Sequence, residues 1–218
     1  PAEVPMLLLL SSLAFAAPTW TQISTSSAWQ EFKVASTKNA GEVRLSSATI
    51  GGTACFRGLA KVGDVAAEKL LTVATDIEGA KTWSSAGIKD AVVLKRSGEV
   101  LDYYQYLSVP IVSDHFWLLH GTVFREAGQV GLRWEKAWER GGPYASTYEE
   151  LVAANPKAVE PPVNVGGWLF KSAEAGVEIS YLICTDSGGA IPENLQSMAT
   201  KGTLPTTVDD LVKEARRR

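Results

Sequence analysis

The chain has little of what most reactive sites are made from. Its 218 residues include two histidines, two cysteines and two methionines. It has no CxxC pair and no Cys/His cluster at metal-ligand spacing, so a bound metal is not expected. His115 and His120 lie in one strand-like run, an odd number of positions apart. Strand side chains alternate faces, so the two project to opposite sides and do not hold one ion together. With no GxSxG elbow, no HExxH and no cysteine beside an evident base, nucleophilic chemistry has no motif. Without a Walker or GxGxxG phosphate loop, no nucleotide or other cofactor is expected. An excess of one charge is lacking too: 21 Lys and Arg face 24 Asp and Glu, a formal net charge of -3. No basic stripe interleaves with aromatics, and nucleic acid is not an expected partner.

What the chain does have is apolar bulk. Hydrophobic residues make up 45%, with seven Trp, six Tyr and six Phe. Such side chains fill a core, or wall a cavity for a hydrophobic ligand, and composition does not separate the two. The length suits one globular domain over two. The apolar run Met6–Ala17 is too short to span a bilayer comfortably and ends in Ala14-Phe15-Ala16, the small-x-small pattern of a signal peptidase site. The expected organisation is a signal peptide over 1–17, cleaved near Ala16 and Ala17, and a single domain over 18–218, secreted or periplasmic. The alternative for the run is a first helix packed on the domain. In an oxidising space Cys55 and Cys184 either pair or remain two buried thiols, and pairing needs neighbouring strands in register.

The periodicity predicts short strands at Trp29–Val34, Glu42–Ala48 and Thr53–Ala60. A helix follows over Val65–Ala74 with Asp64 as its cap, and a shorter one runs from Thr75-Asp76 toward Trp83. Strands are expected at Asp90–Arg96, Glu99–Val109, His115–Arg125 and Val130–Trp138, joined by turns at Ser97-Gly98 and Ala127-Gly128, which makes the sheet antiparallel. Ser146-Thr-Tyr-Glu149 reads as a capping box opening a small helix in a long connection. Strands at Gly167–Lys171 and Val177–Cys184 precede a final amphipathic helix from Pro192, with Leu204, Val208, Leu211, Val212 and Ala215 at helical spacing. The cationic tail Lys213–Arg218 complements the helix dipole, or docks on an anionic membrane surface.

Trp29 with the early strands, Asp76 with Trp83, Phe116 after a loop containing Pro110, Gly166-Gly-Trp168 and Asp186-Ser-Gly-Gly-Ala-Ile-Pro192 carry a resemblance. In this order and spacing the chain, from about Trp29 to its end, resembles the START lipid-transfer domains in their bacterial exported form. These lie within the helix-grip superfamily that also holds polyketide cyclases and plant pollen allergens. The resemblance implies an α+β helix-grip fold: a curved antiparallel sheet of roughly nine strands around a long C-terminal helix, with two short helices after the third strand. It implies an internal tunnel for one lipid or sterol, and it sets the Cys55 strand beside the Cys184 strand. Where such domains carry an acidic residue and an arginine in the tunnel, the nearest positions here are Gln105 and His120, which suits a neutral polar contact.

The expected activity is therefore binding, and transfer without alteration, of one lipid or sterol-like molecule by a monomer that visits a membrane surface. The alternative is a cyclase or isomerase acting on an apolar substrate in the same cavity, and a third reading is a filled core. Gln105 and His120 are the expected polar contacts. Tyr103, Leu107, Phe116, Leu118, Trp134, Trp168 and Tyr181 are the expected walls, chosen by strand parity. Val109, Ile111 and Val112 are expected to pack on Leu204, Val208 and Leu211 as a gate. No catalytic residue is assigned, because Asp102, Tyr103 and Tyr104 read more simply as sheet surface and core.

Overall fold

The computed structural model describes residues 17–108, 113–126, 128–186 and 193–218. The expected leader up to residue 16 lies outside the described residues, as do Val109, Ile111, Val112 and Pro192. A short helix α1 (Trp20–Thr25) is started by a capping box: the Gln22 N–H donates to the Thr19 hydroxyl, and the Gln22 side chain accepts from the Thr19 N–H at 2.8 Å. A meander β1 (Gln30–Ser36), β2 (Glu42–Ile50) and β3 (Thr53–Val62) follows, then helices α2 (Ala67–Ala74) and α3 (Ala80–Trp83). A second meander comprises β4 (Ile88–Ser97), β5 (Val100–Leu107), β6 (His115–Glu126) and β7 (Gln129–Trp138). Helix α4 (Ala145–Ala154), strands β8 (Val163–Ala173) and β9 (Gly176–Asp186), and helix α5 (Glu193–Arg217) complete the chain.

The nine strands form one antiparallel sheet in the order β1-β2-β3-β9-β8-β7-β6-β5-β4. The β8–β9 hairpin thus inserts between β3 and β7 and joins the two meanders. Cys55 and Cys184 are direct partners in that pairing and form a disulfide, with 4.1 Å between their Cα atoms. Tight turns close the hairpins where glycine is required, as at Gly98 with φ +59°, a conformation that side-chain-bearing residues adopt at a cost.

Helices α2, α3 and α5 lie over one face of the sheet, and the main core fills the space between. Leu45, Phe56, Leu119, Leu132, Phe170 and Ile179 meet Leu70, Leu71, Val208 and Leu211 there. Helix α5 approaches β3 closely because Gly58 has no side chain: a Cβ there would stand 3.3 Å from Cγ2 of Val208 and 3.5 Å from Cγ of Leu204. The other face carries two separate covers. Helix α1 packs its Ile23 with Cys55, Val165, Leu182 and Cys184, and α4 packs its Leu151 with Phe116 and Leu118.

Three helix starts differ from their expected form. Helix α2 begins after Ala66 with no side-chain cap, because Asp64 instead binds the Arg216 guanidinium through both oxygens at 2.7 and 2.8 Å. Helix α4 begins after Tyr144, one residue before the apparent capping box, again with no side-chain cap bond. Helix α3 is shorter than expected; Asp76 accepts from the Gly79 N–H at 3.1 Å and the helix starts at Ala80. In the first case a tertiary ion pair, and in the last a local turn, uses the side chain that local sequence assigned to the helix.

Candidate functional site: an inner cavity and an outer relay

Strand β5 supplies both faces of the site. Its odd residues Tyr103, Gln105 and Leu107 point toward the helices and line a cavity of about 100 Å³. Trp134 of β7, Trp168 of β8 and Tyr181 of β9 continue the sheet wall, while Ile77, Ala80, Trp83 and Thr207 close it from the helix side. The tyrosine and tryptophan rings stack into one surface: Trp168 lies 4.3 Å from Tyr181 between ring centroids, and Trp134 lies 6.1 Å from it. Gly166 makes this possible, since a Cβ there would come within 2.6 Å of the Trp134 ring and of the Leu182 carbonyl. The Trp134 ring is further fixed by donating to Oδ1 of buried Asn164 at 2.9 Å.

The cavity wall is neutral. Among its lining residues there is no carboxylate, imidazole, thiol or cationic side chain. Burial pushes the Tyr181 hydroxyl up to about 12, and burial together with the nearby Tyr181 pushes Tyr103 further still, so both remain protonated. Two indole N–H groups on this side, Trp83 Nε1 on the wall and Trp117 Nε1 opposite Gln105 in the β5–β6 register, are buried without an acceptor among the described residues. Buried donors of this kind normally have a partner.

The structure brings Gln105, Tyr103, Leu107, Trp134, Trp168 and Tyr181 together, but it places Phe116, Leu118 and His120 on the opposite face. The pairing of Tyr103 with Leu119 and of Gln105 with Trp117 makes the odd residues of β6 the inward ones. The expected parity was off by one on this strand. The reason is physical: Phe116, Trp117, Leu118 and Leu119 are all buried, because α4 covers the outer face as the helices cover the inner, so hydrophobic alternation gives no parity signal. His115, on the inner side, stacks on Trp117 with centroids 5.7 Å apart, and burial pushes its imidazole down despite the neighbouring Asp114. Leu204, Val208 and Leu211 are fully buried in the main core. The wall residues Ile77, Ala80 and Trp83 come from a segment with no clean periodicity, which is why the sequence did not offer them.

On the outer face, His120 belongs to a polar relay. Its Nδ1 lies 2.7 Å from Oδ1 of Asp102, and the Tyr144 hydroxyl donates to Oδ2 of the same carboxylate at 2.7 Å. Burial alone would raise the Asp102 carboxyl, but the hydrogen bonds from Tyr144 and His120 outweigh it and hold the group below the usual carboxylate range. Trp138 stands edge-on to both His120 and Tyr144.

No protein-family model and no curated protein matches the sequence. Solved structures do match. The STAR-related lipid transfer protein from Xanthomonas axonopodis superposes with a TM-score of 0.66 at 19% identity, covering 87% of this chain and 99% of that one. Human StAR-related lipid transfer protein 5 gives a TM-score of 0.70 at 13% identity, covering 88% of each chain. The Zhui aromatase/cyclase from a Streptomyces species gives 0.53 at 10% identity, covering 75% of this chain and 94% of that one. At such identities the likeness is one of fold: this chain has the START, or helix-grip, fold, in which a curved nine-stranded antiparallel sheet holds the C-terminal helix.

Proposed function

We propose that the protein binds one hydrophobic molecule, a lipid or sterol-like compound, between the sheet and its helix layer and carries it without altering it. The observation that carries this reading is the cavity wall: mostly aromatic and aliphatic, neutral throughout, with Gln105, the two tyrosine hydroxyls, the Trp83 indole and the hydroxyls of Ser84 and Thr207 among its polar groups. Apolar area taken from water contributes roughly 25 cal/mol per Å², and a few polar groups suffice to orient the bound molecule. The unpartnered indole donors favour a ligand that presents an oxygen acceptor, such as a carbonyl, ester or hydroxyl. The neutral wall disfavours one that must bury a charge.

A cavity of about 100 Å³ holds a few waters, whereas ligand pockets run to roughly 300 Å³ or more. Uptake on this reading displaces the helix layer from the sheet. Helix α5 and the 108–114 loop are the proposed gate, and Pro205 inside α5 is the natural point of movement, since its ring nitrogen cannot donate to the Lys201 carbonyl. The Cys55–Cys184 disulfide supports an exported location, with 1–17 as leader and 18–218 as the functional domain. A membrane surface is the proposed source and destination of the ligand. The terminal cations are a weak docking element for it, because Arg216, Arg217 and Arg218 are each paired with a carboxylate of the protein itself.

Cyclase or isomerase chemistry in the same cavity is the second reading, favoured by the aromatase/cyclase of like fold. The wall counts against it, since a proton-transfer enzyme needs an acid or base there and the tyrosines are held protonated. The test is 1:1 binding and vesicle-to-vesicle transfer of a fluorescent sterol or fatty-acid ester. Gln105→Leu and Tyr181→Phe should each weaken binding about three- to tenfold with the thermal midpoint nearly unchanged, the loss expected for one neutral hydrogen bond. If the two substitutions alter stability and leave probe binding intact, the interior is a filled core and the reading fails.

A further inference from the structure

The outer face holds a cleft that the interior cavity does not use. It has a volume of about 350 Å³, lies between the covers provided by α1 and α4, and is lined by Thr21, His120, Thr122, Arg133 and Glu135. Its floor is the β6–β7 ladder, in which His120 stands directly opposite Glu135 and Thr122 directly opposite Arg133. Direct partners in such a ladder are about 5 Å apart, and same-face neighbours along a strand about 7 Å apart, so four polar side chains mark the corners of one small rectangle.

Three features distinguish this rectangle from an ordinary solvated strand face. The imidazole is fixed: Asp102, whose side chain is only 8% exposed, holds Nδ1 of His120 while Tyr144 holds the other carboxylate oxygen. An ionised carboxylate only accepts, so Nδ1 carries a proton toward Asp102 and Nε2 is the ring nitrogen turned away from it. The ring itself is one-third exposed, toward the cleft. Finally, the charged ends of Arg133 and Glu135, both on this face, have no hydrogen-bond or ion-pair partner among the described residues.

We propose that this cleft is a second ligand site, for a small zwitterion that carries an ammonium and a carboxylate a few bonds apart, that is, a free amino acid. Glu135 accepts from the ammonium at one end of the rectangle, beside the His120 ring. Arg133 and the Thr122 hydroxyl donate to the carboxylate at the other. Signs match at Glu135 and Arg133, and the Thr122 hydroxyl adds a donor at the carboxylate end. A simple anion would meet Glu135 uncompensated, and a simple cation would meet Arg133.

The test uses the whole protein, titrated with the common L-amino acids by calorimetry, with the His120 imidazole nitrogens followed by NMR. Acetate and ethylammonium serve as the two half-ligands. At least one amino acid should bind saturably at one site, about tenfold or more tighter than either half-ligand, and shift the Nε2 resonance. Arg133→Gln and Glu135→Gln, both at exposed positions, should each weaken binding about tenfold. Both should leave uptake of the fluorescent lipid probe unchanged, so this result and the fate of the interior cavity are read separately. If no amino acid binds saturably at concentrations up to about 10 mM, or if binding survives both substitutions, the proposal is wrong.

Discussion

Gly166 and Asp102 show how much of the site depends on single positions whose roles are steric or electrostatic. Gly166 leaves the space that the Trp134 ring occupies. Gly166→Ala should lower stability by about 1–3 kcal/mol, the usual cost of overpacking, and should broaden the Trp134 indole NMR signal as the ring loses its seat. Denaturant titration checks the first, and an unchanged midpoint would mean that the ring moves freely. Asp102→Ala leaves Tyr144 and His120 without their acceptor on the outer face and should cost about 1–3 kcal/mol, with no effect on lipid-probe binding, because Asp102 faces away from the cavity. At this scale the sequence was legible in part. Tyr103, Gln105 and Leu107 fall on the wall as read by strand parity, although β5, with Leu101, Asp102 and Tyr103 all buried, has no alternation of its own. Phe116, Leu118 and His120 were read onto the wrong face because β6 is apolar on both sides.

Helix α5 covers the inner face of the sheet against β2 and β3. Its C-terminal half is tied down at several points: Asp209 accepts from the backbone N–H groups of Asn39 and Ala40 at 2.5 and 2.7 Å, and Asp210 accepts from Ser85. Arg216 reaches Asp64, and Arg218 bridges Asp76 and Glu214. Amide exchange should therefore be slow over residues 206–217, and the proposed gate requires it to be faster over 193–204. Exchange equally slow in both halves, and in the 108–114 loop, would contradict a gate there. The bonds from Arg217 and Arg218 outweigh desolvation and bring the Glu214 carboxyl down to about 2 from the ordinary 4.5. A carboxyl lowered in the folded state stabilises the fold above its ordinary value, and that contribution fades as the pH falls from 4.5 toward 2. The stability difference between the native chain and Glu214→Gln should shrink over that range in stepped-pH urea titrations; a constant difference would show that Glu214 is not so held. Element order was legible because antiparallel strands joined by glycine turns mark themselves. The starts of α2 and α3 were not, because Asp64 and Asp76 also serve α5 through ion pairs that no local window contains.

The molecule as a whole is two meanders closed by one inserted hairpin and one helix, and the disulfide fastens the seam. Cys55 and Cys184 are separated by 129 residues, so their bond restricts a long loop of the unfolded chain. The double variant Cys55→Ala, Cys184→Ala should lose about 2–5 kcal/mol, measured against the native chain without reductant. Equal stability with and without the bond would contradict its structural role. The fold's outline was readable from the order of strands and the final amphipathic helix. The depth and polarity of the cavity were not, because they depend on which helix-layer residues the sheet's curvature admits. The central claim is that the interior takes up one hydrophobic molecule. Native mass spectrometry of the protein purified from its own host, with extraction of whatever accompanies it and reloading of stripped protein from a lipid panel, tests this most directly. The account predicts one bound lipid or sterol-like molecule per chain, neutral at the end that meets Gln105, and its recovery on reloading. A chain that arrives empty and takes up no member of the panel would contradict it.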